Sequence, residues 1–280
     1  MSILWSRKMI GFNELGSNGR LGNQMFQLAA LIGIAEEKGL DYTIPDHSNY
    51  SDFGGYRHHE LQACFNFDSY AGNFGLINGN IYEAPRFDYD RDYIINCPDN
   101  VSLSGYFQSE KYFRHVENTI RSLFKFHSDI IDRCVQRYPQ VLTEPIVGVN
   151  VRRGDYLLPI HLNRHPVCSE DYYKRAMSLF KGRSFLVVSD DVNWCKQQEC
   201  FSGANITFVD DSLGVYKGHF DLCVLSLCSD FIMANRSFSW WGAWLSANRE
   251  KKVVSPLVWF GEELAHLSTK DIVPLNWLRI

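Results

Sequence analysis

The sequence predicts an α/β fold, two Rossmann-like domains facing each other across a cleft. Three observations predict it. Short apolar runs alternate with amphipathic stretches through residues 146–254, the pattern of parallel strands joined by right-handed crossovers. A weaker copy of that alternation occupies residues 9–123. The length of 280 residues suits two ordinary domains, and 45% hydrophobic with 21% charged residues is a globular balance.

In chain order, Met9 to Leu15 reads as the first strand. Leu21, Met25, Leu28, Ile32 and Ala35 then recur at helical spacing. Tyr42 to Ile44 reads as a second strand. Residues 46–79, rich in Gly, Asn, Asp and aromatics, read as ordered loops suited to substrate contacts. Val101 to Leu103 is a further strand, and Phe113, Val116, Ile120 and Leu123 place a helix after it. Tyr138-Pro139 through Glu144-Pro145 reads as a linker, so domains are expected at 1–142 and 143–280.

Beyond the linker, Ile146 to Val151 is a short apolar run. Ser169-Glu170-Asp171 supplies a capping hydroxyl and first-turn acids to a helix striped by Tyr173, Ala176, Met177 and Phe180. Phe185 to Val188, Ile206 to Val209, Phe231 to Ala234 and Val253-Val254 are the next strands. Helices over Asp191 to Glu199, Phe220 to Cys228 and Ser239 to Asn248 separate them.

Composition excludes several function classes. Lys plus Arg is 28 against 32 for Asp plus Glu, a net charge of −4, so no phosphate-tracking nucleic-acid surface is expected. A local basic site for one small anion is compatible with that balance. None of the eight cysteines makes a C-x-x-C pair, which argues against a zinc ribbon. The thiols read as reduced, hence a cytoplasmic setting. The opening MSILWSRKMIGF lacks a signal-peptide core, and no 18-residue apolar run exists, so no transmembrane segment is expected. Peripheral membrane contact stays open. N-x-S/T sequons begin at Asn49, Asn100, Asn205 and Asn235. A glycan on the last would obstruct a candidate anion loop, a further reason to doubt a secretory setting.

Open parallel sheets bind ligands beyond the carboxyl ends of their strands. The four C-terminal strands are followed in turn by Arg152-Arg153-Gly154-Asp155, Ser189-Asp190-Asp191, Asp210-Asp211-Ser212, and Asn235-Arg236-Ser237-Phe238-Ser239 running into a helix. Arginine forks, carboxylates and hydroxyls at a helix start suit a nucleotide diphosphate. Each piece has a structural reading beside the functional one. An isolated Arg-Arg pair is more often a surface salt bridge. Ser189, Asp190, Asp191, Ser237 and Ser239 can be helix caps. Trp240, Trp241 and Trp244 stand at helical spacing and read as core. Near the start, Gly16 to Gln24 is a glycine-rich turn between strand and helix, without the Lys-Ser/Thr of a P-loop. Asp88-Tyr89-Asp90 is a D-x-D pattern after Glu-Ala-Pro-Arg-Phe, and it reads as a solvated loop with metal binding the minority reading.

The motifs GRLGNQMFQ at 19–27, GYFQ at 105–108 with Tyr112-Phe113, VRRGDY at 151–156, Asp171-Tyr172-Tyr173, Ser189-Asp190-Asp191 with Trp194, and SFSWWGAW at 237–244 stand in one order over nearly the whole chain. In this the sequence resembles the α-1,2-fucosyltransferases of glycosyltransferase family 11. The resemblance implies a GT-B fold, GDP-β-L-fucose as donor, a galactose-containing glycan as acceptor, and inversion at the fucose anomeric carbon. It implies neither a metal ion nor a cofactor. By motif match, Arg152 contacts the donor phosphates and stabilises the leaving group. Arg153 joins the donor contacts or pairs with a carboxylate to position the loop. Ser237, Phe238 and Ser239 hold the β-phosphate side, and Asp190 reads guanine or ribose. Gly22 belongs with the donor contacts, and Asn23 lies near the reacting centre.

Two positions depart from the family. Asn150 replaces the usual His two residues before the first Arg, where a guanine contact is expected, and an amide can still donate and accept there. Arg236 stands where a small Ser or Thr is usual. The general base is open between Asp155 and Asp46, and Asp155 can instead fix the arginine loop. Two other readings are a degenerate glycan-binding protein without catalysis, and a transferase using another GDP-sugar or making another linkage.

Overall fold

A computed structural model describes residues 8–46, 60–209 and 217–280. The chain divides into two units, Met1–Lys125 with Ser268–Pro274, and Phe126–Leu267 with Leu275–Ile280. The first carries strands β1 (Met9–Gly11), β2 (Asp41–Ile44), β3 (Asn73–Phe74), β4 (Asn80–Glu83) and β5 (Val101–Ser104). They pair in parallel in the order β3-β2-β1-β5-β4. The second carries β6 (Val147–Val151), β7 (Phe185–Ser189), β8 (Ile206–Phe208), β9 (Asp230–Ile232), β10 (Val253–Ser255) and β11 (Leu278–Arg279). Their order is β11-β10-β9-β6-β7-β8, again all parallel. Read from its other edge, this is the 3-2-1-4-5-6 order of a dinucleotide-binding Rossmann sheet.

The division falls earlier than the prolines suggest. The helix Ser128–Arg137 belongs to the second unit, where the Cys134 thiol lies 3.6 Å from the Phe220 carbonyl and the Tyr138 and Phe220 rings are 6.1 Å apart. Residues 138–145 are therefore not an open linker, and they form a short helix at Gln140–Thr143. The segment Ser268–Pro274 is held in the first unit by ion pairs. Lys270 meets Asp88 at 2.6 Å, and Asp271 meets Lys111 at 2.5 Å.

Strand β1 ends at Gly11, short of the expected Leu15, because an asparagine clasp replaces the ladder. The Asn13 N–H donates to Ser102 Oγ, and its side-chain amide donates to Ile77 O while accepting from Ile77 N. The helix Leu21–Lys38 follows, buried along nearly all of Leu21 to Ala35, and it stops at Gly39 in the left-handed conformation. The helix expected around Phe113 starts only at Glu117. Single 3₁₀ turns at Glu110–Tyr112 and Arg114–Val116 precede it, because Ser109 caps the first and Phe113 leaves helical geometry. Residues 60–79 hold a short helix, Leu61–Cys64, a turn at Phe67–Ser69, and β3, so they are not loop alone.

All five residues of β6 are buried, so both faces of this central strand are covered. Val147, Val149 and Val151 pack with Tyr172 and Tyr173 of the helix Glu170–Ser178. On the other face, Gly148 lies against Leu225 and Cys228, at the end of the helix Lys217–Ser226. Strand alternation therefore puts Gly148, Asn150 and Arg152 on one side. The last long helix runs Ser237–Leu245, two residues earlier than expected. Its Trp240, Trp241 and Trp244, joined by Trp277, form a buried ring cluster with centroids 5.0–6.1 Å apart. The tryptophans are core.

Candidate active site

In the second unit the strand order reverses between β6 and β9, and the crevice beyond their carboxyl ends is where such sheets bind ligands. Residues 150–155 and 235–239 meet this crevice. Arg152 donates from Nη1 to Asp190 Oδ2 at 2.5 Å, and from Nη2 to Asp155 Oδ1. Asp190 also accepts from the backbone N–H of Arg153 at 3.0 Å. Arg153 pairs through Nε with Asp191 Oδ2 at 3.1 Å and lies 4.0 Å over the Trp194 ring. Asp191 also caps the helix Val192–Gln197 by accepting from Trp194 N. The β6 and β7 loops are thus fastened by two carboxylate–arginine pairs, a charge-assisted pattern that fixes side-chain direction. Arg152 keeps one donor in reserve, since its buried Nε has no partner.

Gly154 permits this packing. A Cβ there would fall 2.4 Å from Asp190 Oδ2. Tyr156 then links the two loops. Its ring lies 5.5 Å from the Arg152 guanidinium and its hydroxyl donates to the Asn235 carbonyl at 3.3 Å. Burial pushes its phenol above the ordinary range.

Asn235 anchors the β9 loop. Its buried amide donates to Pro166 O and Trp259 O, both at 3.0 Å. That amide is committed, so the sequon at 235 cannot carry a glycan in this fold. Ser239 donates to Ala234 O at 2.8 Å and lies 3.1 Å from Arg236 O, so its hydroxyl fastens the loop. Phe238 is buried, with the Arg236 guanidinium 4.6 Å over its ring. Ser237 opens the helix. Asn150 is 2% exposed, donates to Val188 O at 3.2 Å, and leaves Oδ1 buried without a partner. The structure therefore brings Asn150, Arg152, Arg153, Asp155, Asp190, Ser237, Phe238 and Ser239 to one edge of the second unit. Asp210-Asp211-Ser212 and the sequon at Asn49 lie outside the described residues.

Gly22 and Asn23 belong to the first unit, at the strand reversal between β1 and β5. Gly19 has φ +99°, and a Cβ on it would meet the Asn23 amide at 2.1 Å, so glycine is required twice over. Asn23 Oδ1 accepts from Gln108 Nε2 at 2.9 Å. Gln24 and Gln27 donate to Gly19 O, and to Asn18 O and Gly105 O. Gln27 and the Asn23–Gln108 pair thus tie the glycine-rich turn to the loop after β5, while Gln24 braces the turn itself. In that loop, Phe107 takes φ +52°, a conformation rare outside glycine and common at functional sites. Asp46 lies just beyond β2 in the same unit.

The D-x-D pattern is not a solvated loop. Asp88 is 4% exposed and pairs with Arg86 at 2.9 Å as well as with Lys270. These cations hold its carboxyl well below the ordinary range. Asp90 caps the helix Arg91–Ile95 by accepting from Asp92 N and Tyr93 N. Among the described residues, no three His, Cys, Asp or Glu side chains converge as a metal site.

The model of glycosyl transferase family 11 matches residues 3–280. The chain belongs to this family. The family 11 chain is 30% identical to an α-1,2-colitosyltransferase of Escherichia coli, over 94% of its own length and 96% of the relative's. It is also 30% identical to bovine galactoside α-(1,2)-fucosyltransferase 1, over 86% of its own length and 68% of the relative's. Its fold is similar to fucosyltransferase NodZ from Bradyrhizobium, with a TM-score of 0.56, 17% identity, and coverage of 85% and 92% of the two chains. POFUT1 is similar at a TM-score of 0.53 and 13% identity, over 90% and 99% of the two chains. The fold is GT-B-like, and this family 11 member is a glycosyltransferase. No helix among its described residues is long and apolar enough to cross a membrane.

Sequence reasoning missed four parts of the family 11 site: the Asn235 anchor, the Tyr156 bridge, the Trp194 platform, and the need for glycine at 154. Tyr156 and Trp194 were visible as motif members without a role. Nothing local marks Asn235, whose partners are 24 and 69 residues away.

Proposed function

We propose that the chain transfers L-fucose from GDP-β-L-fucose to a galactoside hydroxyl with inversion, forming an α-1,2 linkage without a metal ion. The observation that carries this is the arginine loop at the strand reversal: Arg152 is oriented by Asp155 and Asp190, retains a buried unpaired Nε, and sits beside the start of the helix Ser237–Leu245. In the reaction the acceptor oxygen attacks the anomeric carbon from the face opposite the nucleotide. The bond to the β-phosphate oxygen breaks, and its electron pair leaves on GDP. Arg152 meets that developing charge, and the N–H groups of the helix start add to it. Asn150 with its free Oδ1, and Asp190, serve the guanosine part. Asn23, held by Gln108, serves the reacting sugar, as the motif resemblance implies. Asp155 positions Arg152, which leaves Asp46 as the carboxylate to test as proton acceptor. The eight free thiols, six of them buried, support a cytoplasmic setting.

The test is transfer from labelled GDP-fucose to a panel of galactosides in excess EDTA, with linkage and anomeric configuration read by NMR. α-Linked product at undiminished rate supports the reading. Loss of transfer rescued by Mn²⁺ or Mg²⁺, or nucleotide binding with no transfer to any acceptor, overturns it. Arg152→Lys keeps the charge but loses the fork, and turnover should fall roughly 100-fold, as for loss of a main oxyanion donor.

A second reading is favoured by the E. coli relative, a colitosyltransferase matched nearly end to end. Colitose is L-fucose without its 3-hydroxyl. Competition between GDP-fucose and GDP-colitose distinguishes the two donors.

A further inference from the structure

We propose that Arg236 is a second donor-binding guanidinium, which together with Arg152 clamps the diphosphate of the nucleotide sugar at the start of the helix Ser237–Leu245. The inference rests on the GDP-sugar reading above and adds to it a residue where the family usually has a small hydroxyl side chain.

The structure gives Arg236 a position but no ion-pair partner among the described residues; Asp190 and Asp155 act on it only from a distance, and both are already bonded to Arg152. Three other half-covered arginines of its unit are paired, Arg152 with Asp155 and Asp190, Arg153 with Asp191, and Arg183 with Asp230, whereas Arg279, away from the arginine loop on β11, also leaves guanidinium nitrogens unpartnered. Among the described residues, no carboxylate lies within ion-pair distance of Arg236, and its guanidinium has no hydrogen-bond acceptor. The guanidinium is instead laid flat on Phe238, 4.6 Å from the ring centre. Stacking of this kind holds the plane and leaves the edge donors directed outward. Arg236 is half-buried, and Arg152 acts on it as a like charge.

Burial first, and the Arg152 charge second, push its pKa down to about 10, against a smaller opposing effect of Tyr156, Asp190 and Asp155. It therefore stays protonated at neutral pH while carrying an unfavourable environment. A desolvated cation facing a second cation is costly unless an anion completes the site. Two further sets of donors belong to the same pair of loops. Arg152 Nε is buried and unpartnered, and the helix of nine residues that begins at Ser237 presents its first N–H groups there. The anion that fits two guanidinium forks and a helix start is a diphosphate: Arg152 takes the bridging and leaving side, and Arg236 the oxygens over Phe238.

The fixed loop supports this geometry. The Asn235 amide is tied to Pro166 and Trp259, and its carbonyl takes the Tyr156 hydroxyl. Arg236 thus projects from an anchored residue. A surface arginine that merely replaced a serine would be expected to extend into solvent without a stacking partner.

Calorimetric titration of GDP and GMP into the wild type, Arg236→Ser and Arg236→Lys tests the proposal, with thermal melting of each protein with and without GDP. Arg236→Ser restores the residue type usual at this position, so folding is expected to survive. The expected result is a loss of GDP affinity of about tenfold or more, the scale of a hydrogen bond to a charged group. GMP, which lacks the β-phosphate, should change by less than threefold, and Arg236→Lys should fall between. The ligand-free Arg236→Ser protein should melt no lower than the wild type, because an unpaired charge has been removed, while the GDP-induced rise in Tm shrinks. GDP affinity within twofold of wild type, equal losses for GDP and GMP, or a lowered ligand-free Tm would each overturn the proposal. Wild-type protein that fails to bind GDP at all would instead overturn the GDP-sugar reading itself.

Discussion

Adding one methyl group at Gly154 should disable the arginine loop without touching an arginine. In Gly154→Ala the new Cβ would stand 2.4 Å from Asp190 Oδ2, and real contacts of this kind essentially never fall below 3.0 Å. Either the carboxylate or the loop must retreat by about 0.6 Å. Asp190 has little freedom to do so. It is held by Arg152 Nη1 at 2.5 Å and by the Arg153 N–H at 3.0 Å, one bond to each carboxylate oxygen. A charge-assisted hydrogen bond is worth about 1.5–3 kcal/mol. Asp190 keeps 23% side-chain exposure, which favours the lower end. A misdirected Arg152 should then cost roughly ten- to hundredfold in kcat. The assay is steady-state transfer, paired with thermal melting to separate loss of positioning from loss of fold. Gly154 is exposed, so Tm should change little. Turnover within threefold of wild type would refute the coupling of Gly154 to Arg152 through Asp190.

Three further outcomes follow from buried groups. Asn150→Ala removes the bond to Val188 O and any contact of Oδ1, and should weaken GDP binding by about 1 kcal/mol; Asn150→His should alter GDP affinity, in the direction of tightening. Equal calorimetric affinity in both variants and wild type would remove Asn150 from the base pocket. Tyr172→Phe deletes a buried hydroxyl that donates to Met233 O at 2.6 Å, and urea denaturation should show a loss of about 1–3 kcal/mol. Asp88→Asn should lower Tm at pH 7, because Arg86 and Lys270 depress the native carboxyl pKa and that stabilisation is complete above the unfolded-state value near 4. As pH falls below that value toward the depressed native one, the wild-type advantage should close; a difference that stayed constant to pH 3 would assign Asp88 a purely steric role.

The sequence by itself determined the α/β class, the positions of most strands, and the residues that follow them. Those properties are local. A strand of apolar residues, a Ser169 cap or an Asp191 cap needs only its own neighbours, and each was found where the pattern put it. The arginine loop, the Ser189–Asp191 segment and the helix start at 237 were legible as candidates for the same reason, since they stand directly after strands. The tertiary structure decided everything that depends on register between distant segments. Arg152 meets Asp190 across 38 residues because β6 and β7 pair with Val151 opposite Ser189. Asp88 pairs with Lys270, and a helix beyond Lys125 joins the second unit through Phe220, contacts that no periodicity near them encodes. Arg236 shows the division most directly. Its charge could be read from the chain, but its burial beside Arg152 without a direct ion-pair partner among the described residues is a property of what packs around it, and desolvation is set by tertiary neighbours alone.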